Sequence, residues 1–259
     1  MLVGTPLMSG CAHQSPVPPF AAVPYQRFSR AAVVAVALRE WKLFGSPVND
    51  DDHLNWDKAE RNEGLWQRIG EYWFVGMNPG APESRWTGKH DEFGREFAPE
   101  DDGKYAWSAA FISYVMRVAA AGDRFPYSAD HATYINAAKR MTLGTEQGWL
   151  VTAERPDAYA PVPGDLICHG RDQAASLRYD DLPTLGLFPS HCDIVVEGPK
   201  PGVTPPVISV IGGNVQDTVT MRHVPVTADG RLARPDGVVL DPLRPWMVVL
   251  RVHELAPAS

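Results

Sequence analysis

The chain has few cysteines, no long apolar run and no excess of positive charge. Three cysteines in 259 residues, Cys11, Cys168 and Cys192, are too few for a disulfide-rich scaffold and wrongly spaced for a zinc finger or ribbon. The formal net charge of -7 provides no basic patch for phosphate groups, so we expect no nucleic-acid partner. The longest apolar run, residues 31–38, is much shorter than the ~18–20 residues of a transmembrane helix, so no membrane span is predicted.

The composition is that of a globular protein. Hydrophobic residues make up 44% and charged residues 21% of the chain, which is close to the average of folded domains. The 22 glycines and 24 prolines predict long loops without reaching the content of a disordered chain. We therefore expect a single domain over residues 23–259.

The N-terminal segment ends in Met8-Ser9-Gly10-Cys11, which resembles the lipobox of bacterial lipoproteins. The resemblance implies cleavage before Cys11 and a lipid anchor on its sulfur. Residues 13–20 are polar and rich in proline, as in a semi-rigid tether. Residues 1–22 are thus predicted to be a lipoprotein-like signal and tether, the alternative being a disordered tail. The expected location is the periplasm, with an anchor in the membrane, and secretion is the alternative.

Helical patterns precede β-rich patterns along the chain. Helices are predicted over residues 27–44, 63–74, 105–121 and 129–141, and residues 76–104 are predicted to be a long loop. Strands are predicted over residues 149–153, 165–169, 191–197, 207–211, 219–224 and 246–252. This order predicts an α+β fold, with N-terminal helices packed on an antiparallel sheet.

Three short segments carry the residues suited to chemistry. They are Trp107-Ser108-Ala109-Ala110-Phe111 at a helix start, Ser190-His191-Cys192-Asp193 on a strand, and Gly212-Gly213-Asn214 at a strand end. In this order they resemble the papain-like CHAP (cysteine, histidine-dependent amidohydrolase/peptidase) and NlpC-type cell-wall hydrolases, and also an uncharacterised bacterial domain family related to them. The resemblance covers roughly residues 106–252. It implies a papain-like fold and hydrolysis of amide bonds in peptidoglycan peptides, without a cofactor.

The resemblance implies a nucleophile at position 108, where the family has cysteine and this chain has Ser108. A serine hydroxyl does not ionise as a thiol does, so it requires a general base. The family pattern gives that role to His191, with Asn214 orienting the imidazole. Asp193 shares a strand face with His191 and is the other candidate to orient it. The alternative is that Ser108 is a helix N-cap in an inactive module that binds peptidoglycan or a protein partner.

Four further residues are candidates for substrate binding. Trp86, Tyr105 and Trp107 are predicted to line a groove for a peptide or sugar, although aromatic residues beside a helix start also serve as packing residues. His131 lies near a predicted helix start and is expected either to line a pocket or to lie on the surface.

Two Cys-His pairs, Cys168-His169 and His191-Cys192, raise the question of a zinc site. Neighbours on a strand point to opposite faces, so each pair offers one ligand to a common side, and two ligands are fewer than a structural zinc site requires. No metal is therefore predicted. If the two strands pair antiparallel, Cys168 and Cys192 can form a disulfide, which suits an exported protein. Free buried thiols are the alternative.

Overall fold

The protein forms four α-helices and one six-stranded sheet within residues 27–51, 57–200 and 202–254, which the computed structural model describes. The helices are α1 (Arg30–Leu43), α2 (Leu65–Gly76), α3 (Ser108–Val118) and α4 (His131–Thr142). The strands are β1 (Val151–Glu154), β2 (Leu166–Gly170), β3 (Ser190–Glu197), β4 (Val207–Val215), β5 (Thr218–Pro225) and β6 (Trp246–Val252). The strand order is β1-β6-β2-β3-β4-β5, and all neighbours are antiparallel.

The predicted α+β class, with helices before an antiparallel sheet, is confirmed. Helix α1 begins after the N-cap Ser29, whose hydroxyl accepts a hydrogen bond from the Ala32 backbone N–H at 3.1 Å. Most boundaries differ from the predicted ones by a few residues, and two of these differences concern the candidate site. The helix predicted from residue 105 begins at Ser108, because a 3-10 segment (Pro99–Tyr105) precedes it. Strand β4 continues to Val215, so Gly212-Gly213-Asn214 lies inside it and not after it.

The sheet has an apolar core on each face. Alternate residues of β2 point to opposite sides, so Leu166 and Cys168 pack toward the helices whereas Ile167 belongs to the second core. That second core is closed by the segment after β5, which contributes Val226 and Leu232. Among the described residues, the four helices contribute to the first core only.

A buried carboxylate joins the first three helices. Glu40 of α1 is fully buried, and both of its oxygens accept hydrogen bonds from Arg68 of α2, each at 2.6 Å. The Tyr72 hydroxyl donates to the same carboxylate at 2.9 Å, and Tyr114 of α3 donates to it at 3.4 Å. Because buried charges are tolerated only when they are paired and hydrogen-bonded, this network fixes α1 and α2 against α3, which carries Ser108 at its start.

A disulfide joins the central strands β2 and β3. Cys168 and Cys192 lie directly opposite each other in the antiparallel pairing and are bonded through their sulfurs, so the disulfide interpretation is confirmed over free thiols. The next pair in the register is His169 and His191. The bond therefore fixes the strand register that positions His191.

Replacing both cysteines with alanine is expected to lower the free energy of unfolding by about 3 kcal/mol, because the bond closes a loop of sequence separation 24. Urea denaturation of the variant, and of the wild type after reduction, measures the effect. The two samples should agree. A loss below about 1 kcal/mol in both would contradict a stabilising role for the bond.

Several predictions concern residues outside the described ranges. Residues 1–22, with Cys11 and its expected lipid anchor, lie there, so the signal, the tether and the domain boundary at residue 23 stay predictions. In the part of the chain that the structure describes, no helix has the length and apolar character needed to cross a membrane.

Candidate active site

Ser108 and His131 meet where two helices begin. Ser108 is the first residue of α3 and His131 is the first residue of α4. The Ser108 Oγ lies 2.7 Å from the His131 Nε2, and the two residues are 7% and 4% exposed. The N-cap of α3 is Trp107. The interpretation of Ser108 as an N-cap is therefore wrong, because its hydroxyl contacts an imidazole and not the backbone of its own helix.

His131 is held from its other nitrogen by Tyr134, one turn later on α4. The Tyr134 hydroxyl hydrogen-bonds with the His131 Nδ1. Burial lowers the pKa of His131 well below its usual value, and the nearby His191 lowers it further, whereas Asp193 acts in the opposite direction. Burial raises the pKa of Tyr134 well above its usual value. At neutral pH the site thus holds a neutral imidazole against a serine hydroxyl, with an un-ionised phenol behind it.

A second chain of polar groups runs through the sheet beside this pair. The His191 Nε2 lies 2.9 Å from the Asp193 Oδ1, and the Arg222 Nη1 lies 3.2 Å from the Asp193 Oδ2. Burial alone would raise the pKa of Asp193, but Arg222 and His191 outweigh it and hold that pKa well below its usual range. Because an ionised carboxylate can only accept, His191 donates its Nε2 proton to Asp193.

The two histidines contact each other, but His191 does not bind Ser108. The ring centroids of His131 and His191 are 5.3 Å apart. The buried His191 Nδ1 has no hydrogen-bond partner among the described residues. The predicted contact between Ser108 and His191 is therefore absent, and the Ser108 hydroxyl instead contacts His131, which was expected either to line a pocket or to lie on the surface.

The Gly212-Gly213-Asn214 segment is explained by close packing. A Cβ on Gly212 would lie 1.9 Å from the Asp193 Oδ1, and one on Gly213 would lie 2.5 Å from the Phe111 Cβ of α3. Only glycine lets β4 approach both the acid and the helix. Asn214, with φ of 54°, lies on the cavity wall. The prediction that Asn214 orients His191 is wrong, because Asp193 makes the hydrogen bond to the imidazole.

An open cavity gives access to the Ser108–His131 pair. Its volume is about 660 Å³, and its wall includes Ser108, His131, Ser190 and Asn214. The positive ends of the α3 and α4 dipoles face this region, and the first backbone N–H groups of a helix have no partner within that helix. The arrangement can therefore place a substrate carbonyl beside a hydroxyl nucleophile, a neutral base and donors for a developing negative charge.

The three aromatic candidates lie outside the cavity wall. Trp107 is 1% exposed and donates its indole N–H to the Glu60 Oε2 at 2.8 Å, so its predicted groove-lining role is wrong. Trp86 and Tyr105 contact each other with ring centroids 4.9 Å apart, and Tyr105 also stacks on Phe97. Neither is among the described residues that line the cavity. These aromatic residues pack against other side chains near the start of α3.

Glu60, which accepts the indole N–H of Trp107, has an unusually high pKa. Burial raises the pKa of Glu60 from 4.5 to about 8, Trp107 opposes the shift through its hydrogen bond, and Asp217 and Asp102 add to it. Below about pH 8 the native protein therefore holds a proton that the unfolded chain releases above pH 4.5. This contribution to stability is complete below pH 4.5 and is lost as the pH rises toward 8.

Replacing Glu60 with glutamine removes this titration and should make the variant gain stability relative to the wild type as the pH rises. We expect a relative gain of more than about 1 kcal/mol between pH 5 and pH 8, since one pKa unit corresponds to about 1.4 kcal/mol. Urea denaturation of both proteins at the two pH values measures it. Equal pH dependence in the two proteins would show that Glu60 is ionised throughout.

Sequence reasoning missed two residues of the site, Tyr134 and Arg222. Tyr134 follows His131 by three residues on a helix, and that spacing puts both on one face, so the signal was present. Arg222 is different, because it reaches Asp193 across two strand pairings, and no local pattern gives their register. Over residues 27–51, 57–200 and 202–254, no group of three His, Cys, Asp or Glu side chains is arranged to hold a metal ion.

The fold and site define an α+β domain with a serine–histidine pair at the meeting point of two helices. The chain belongs to a protein family conserved in bacteria and described as uncharacterized (DUF2272), whose family model matches residues 60–252. No curated protein and no solved structure matches the chain. The matched region includes the serine–histidine pair and all six strands, but not α1.

Proposed function

We propose that this protein is a hydrolase that cleaves amide bonds in peptidoglycan peptides, with Ser108 as the nucleophile. The observation that carries the proposal is the 2.7 Å contact between the Ser108 Oγ and the His131 Nε2 at the edge of an open cavity. A serine hydroxyl needs a positioned base. His131 meets the geometric requirement, whereas His191 was the base expected from the sequence.

In the proposed mechanism, His131 carries one proton through the reaction. Its Nε2 accepts the Ser108 proton as the Oγ bonds to the carbonyl carbon, and its Nδ1–H donates to the Tyr134 oxygen. The imidazolium then gives that proton to the amine nitrogen as the C–N bond breaks. Water attacks the resulting ester by the same proton path, which releases a carboxylic acid and restores the serine hydroxyl.

The surrounding charges support this assignment. Burial disfavours an imidazolium at His131, but the Asp193 carboxylate favours it. The negative oxygen of the tetrahedral intermediate is favoured by the first N–H groups of α3, which have no partner within their own helix. In this proposal Asp193 and His191 are positioning residues, because they act on His131 through charge and contact and not on the substrate.

We further propose that the fold is papain-like and related to the CHAP and NlpC-type hydrolases. The support is the order along the chain of Ser108 at a helix start, His191 at the beginning of a central strand and Gly212-Gly213-Asn214 in the adjacent strand. We also propose a periplasmic location, with a lipid anchor at Cys11 or secretion as the alternative. The Cys168–Cys192 disulfide supports this, because such bonds persist in oxidising compartments.

Digestion of purified peptidoglycan tests the proposed activity. The wild type should release new amine termini, detected by mass spectrometry, and Ser108→Ala should release none. Ser176→Ala is the matched control, since Ser176 is an exposed serine that is not on the cavity wall. Ser108→Cys introduces at the same position a thiol, which is the nucleophile of the CHAP and NlpC-type hydrolases. Absence of release by both the wild type and Ser108→Cys would exclude catalysis on this substrate.

A second candidate function is binding without turnover. It is favoured by the burial of the pair, because Ser108 and His131 are 7% and 4% exposed. An inactive module would sediment with peptidoglycan or with a protein partner, and Ser108→Ala would alter neither binding nor any release of amines. Sedimentation and digestion measured on the same samples separate the two candidates.

A further inference from the structure

A second cavity adjoins the first at Asn214, and three arginines line it. Its volume is about 350 Å³, and its wall includes Arg171, Arg222, Arg244 and the histidines His169 and His191. No aspartate or glutamate is among the described residues on this wall. The two cavities share Arg171, Asn214 and Gln216, so one molecule can occupy both.

The three arginines differ in whether a carboxylate of the protein forms an ion pair with them. Arg244 is paired with Asp241 at 3.3 Å, and Arg222 is paired with Asp193 at 3.2 Å. The Arg222 side chain is only 7% exposed, yet its Nε is buried without a hydrogen-bond partner among the described residues. A buried donor of this kind is costly unless a ligand satisfies it.

Arg171 supplies a charge at the junction of the two cavities. It is exposed and follows β2 directly, where a Cβ on Gly170 would lie 1.9 Å from the Ala174 carbonyl oxygen. This tight turn fixes the chain at Arg171, whose backbone N–H donates to the Pro189 carbonyl at 2.9 Å. Within the described residues, no carboxylate forms an ion pair with its guanidinium.

We propose that this second cavity binds a carboxylate of the substrate through Arg171 and Arg222, while an amide bond of the same molecule lies at Ser108. This inference rests on the proposed hydrolase function. The planar guanidinium pairs with a carboxylate through two parallel hydrogen bonds. The small volume fits a single acidic residue, so the preferred substrate is a peptide with a free carboxylate close to the bond that is cleaved.

Selective amidation of a peptide substrate tests this inference. The full chain is assayed on a peptidoglycan stem tetrapeptide and on versions in which each carboxylate in turn is a carboxamide. For one version, we expect the wild-type kcat/KM to fall about 10- to 100-fold, as for a lost charge-assisted hydrogen bond. Arg171→Ala should lose this preference, so that it cleaves the acid and the amidated peptide with similar kcat/KM. Arg124→Ala is the control, because Arg124 is exposed and lines neither cavity.

Calorimetric binding of the same peptides separates this inference from the proposed function. If no peptide is cleaved but the acid binds about tenfold more tightly than the carboxamide, and Arg171→Ala abolishes the difference, the hydrolase proposal fails and the carboxylate site stands. If peptides are cleaved but every amidation leaves kcat/KM and affinity unchanged, the carboxylate site is excluded and the hydrolase stands. An equal preference for the acid in Arg171→Ala would also exclude the site.

Discussion

Replacing His131 with alanine is expected to lower kcat for amide hydrolysis by about 100- to 10,000-fold, the usual contribution of a positioned general base. The reason is the contact between its Nε2 and the Ser108 Oγ, which no other described side chain makes. KM should change little, because the imidazole acts on the nucleophile and not on the bound peptide. Steady-state kinetics on a soluble stem peptide measures both constants.

The same variant distinguishes His131 from the base expected from the sequence. His191→Ala keeps the serine–histidine contact and should lower kcat by much less than His131→Ala does. His223→Ala is the matched control, since His223 is a half-exposed histidine paired with Asp50 and lines neither cavity. A larger loss in His191→Ala than in His131→Ala would transfer the role of base to His191.

The pH dependence of the wild type gives an independent test. A base must be unprotonated to accept a proton, and burial holds the pKa of His131 well below its usual value of 6.5. The acid limb of kcat/KM should therefore lie well below pH 6.5, with activity retained at pH 5.5. An acid limb at pH 6.5 would mean that the base is a histidine more exposed to water than His131 is.

Local patterns predicted the helices and strands well because their signals lie in neighbouring residues. Strand signals at Cys168 and Cys192 made a disulfide possible if the two strands pair antiparallel, and the observed register places the two residues directly opposite each other. The start of α3 was predicted three residues early because residues 105–107 are compatible with a helix, whereas the chain there leaves a 3-10 segment. Such boundaries depend on packing around Trp107 and Glu60, which a sequence window does not include.

The composition of the site was only partly predictable. Ser108, His131, His191 and Asp193 were all candidates, but which imidazole faces the hydroxyl depends on how α4 docks against α3. That docking brings together residues 23 positions apart and is a tertiary property. The Gly212-Gly213 pair was predicted at a strand end, but it lies inside β4, and its glycines are needed because β4 passes close to Asp193 and Phe111. A local pattern does not show such a close approach, because the approaching residues are distant in the sequence.

Asp193→Asn is expected to lower the free energy of unfolding by about 3–5 kcal/mol, because it removes one partner of a buried ion pair. Asp193 is fully buried between His191 and Arg222, so its loss leaves the Arg222 guanidinium in the sheet without a counter-charge. In the wild type the carboxylate has its pKa held below 3.8. Its contribution is therefore complete above that pH and is lost as the pH falls through the native pKa.

The double variant Asp193→Asn with Arg222→Met shows whether the cost comes from the unpaired charge. Replacing both partners of a buried pair is often nearly neutral, so the double variant should recover most of the stability that the single variant loses. Urea denaturation of the wild type, Asp193→Asn, Arg222→Met and the double variant completes the double-mutant cycle. An additive loss would mean that Asp193 stabilises the fold through His191 alone. In that case His191→Ala would carry the same penalty as Asp193→Asn.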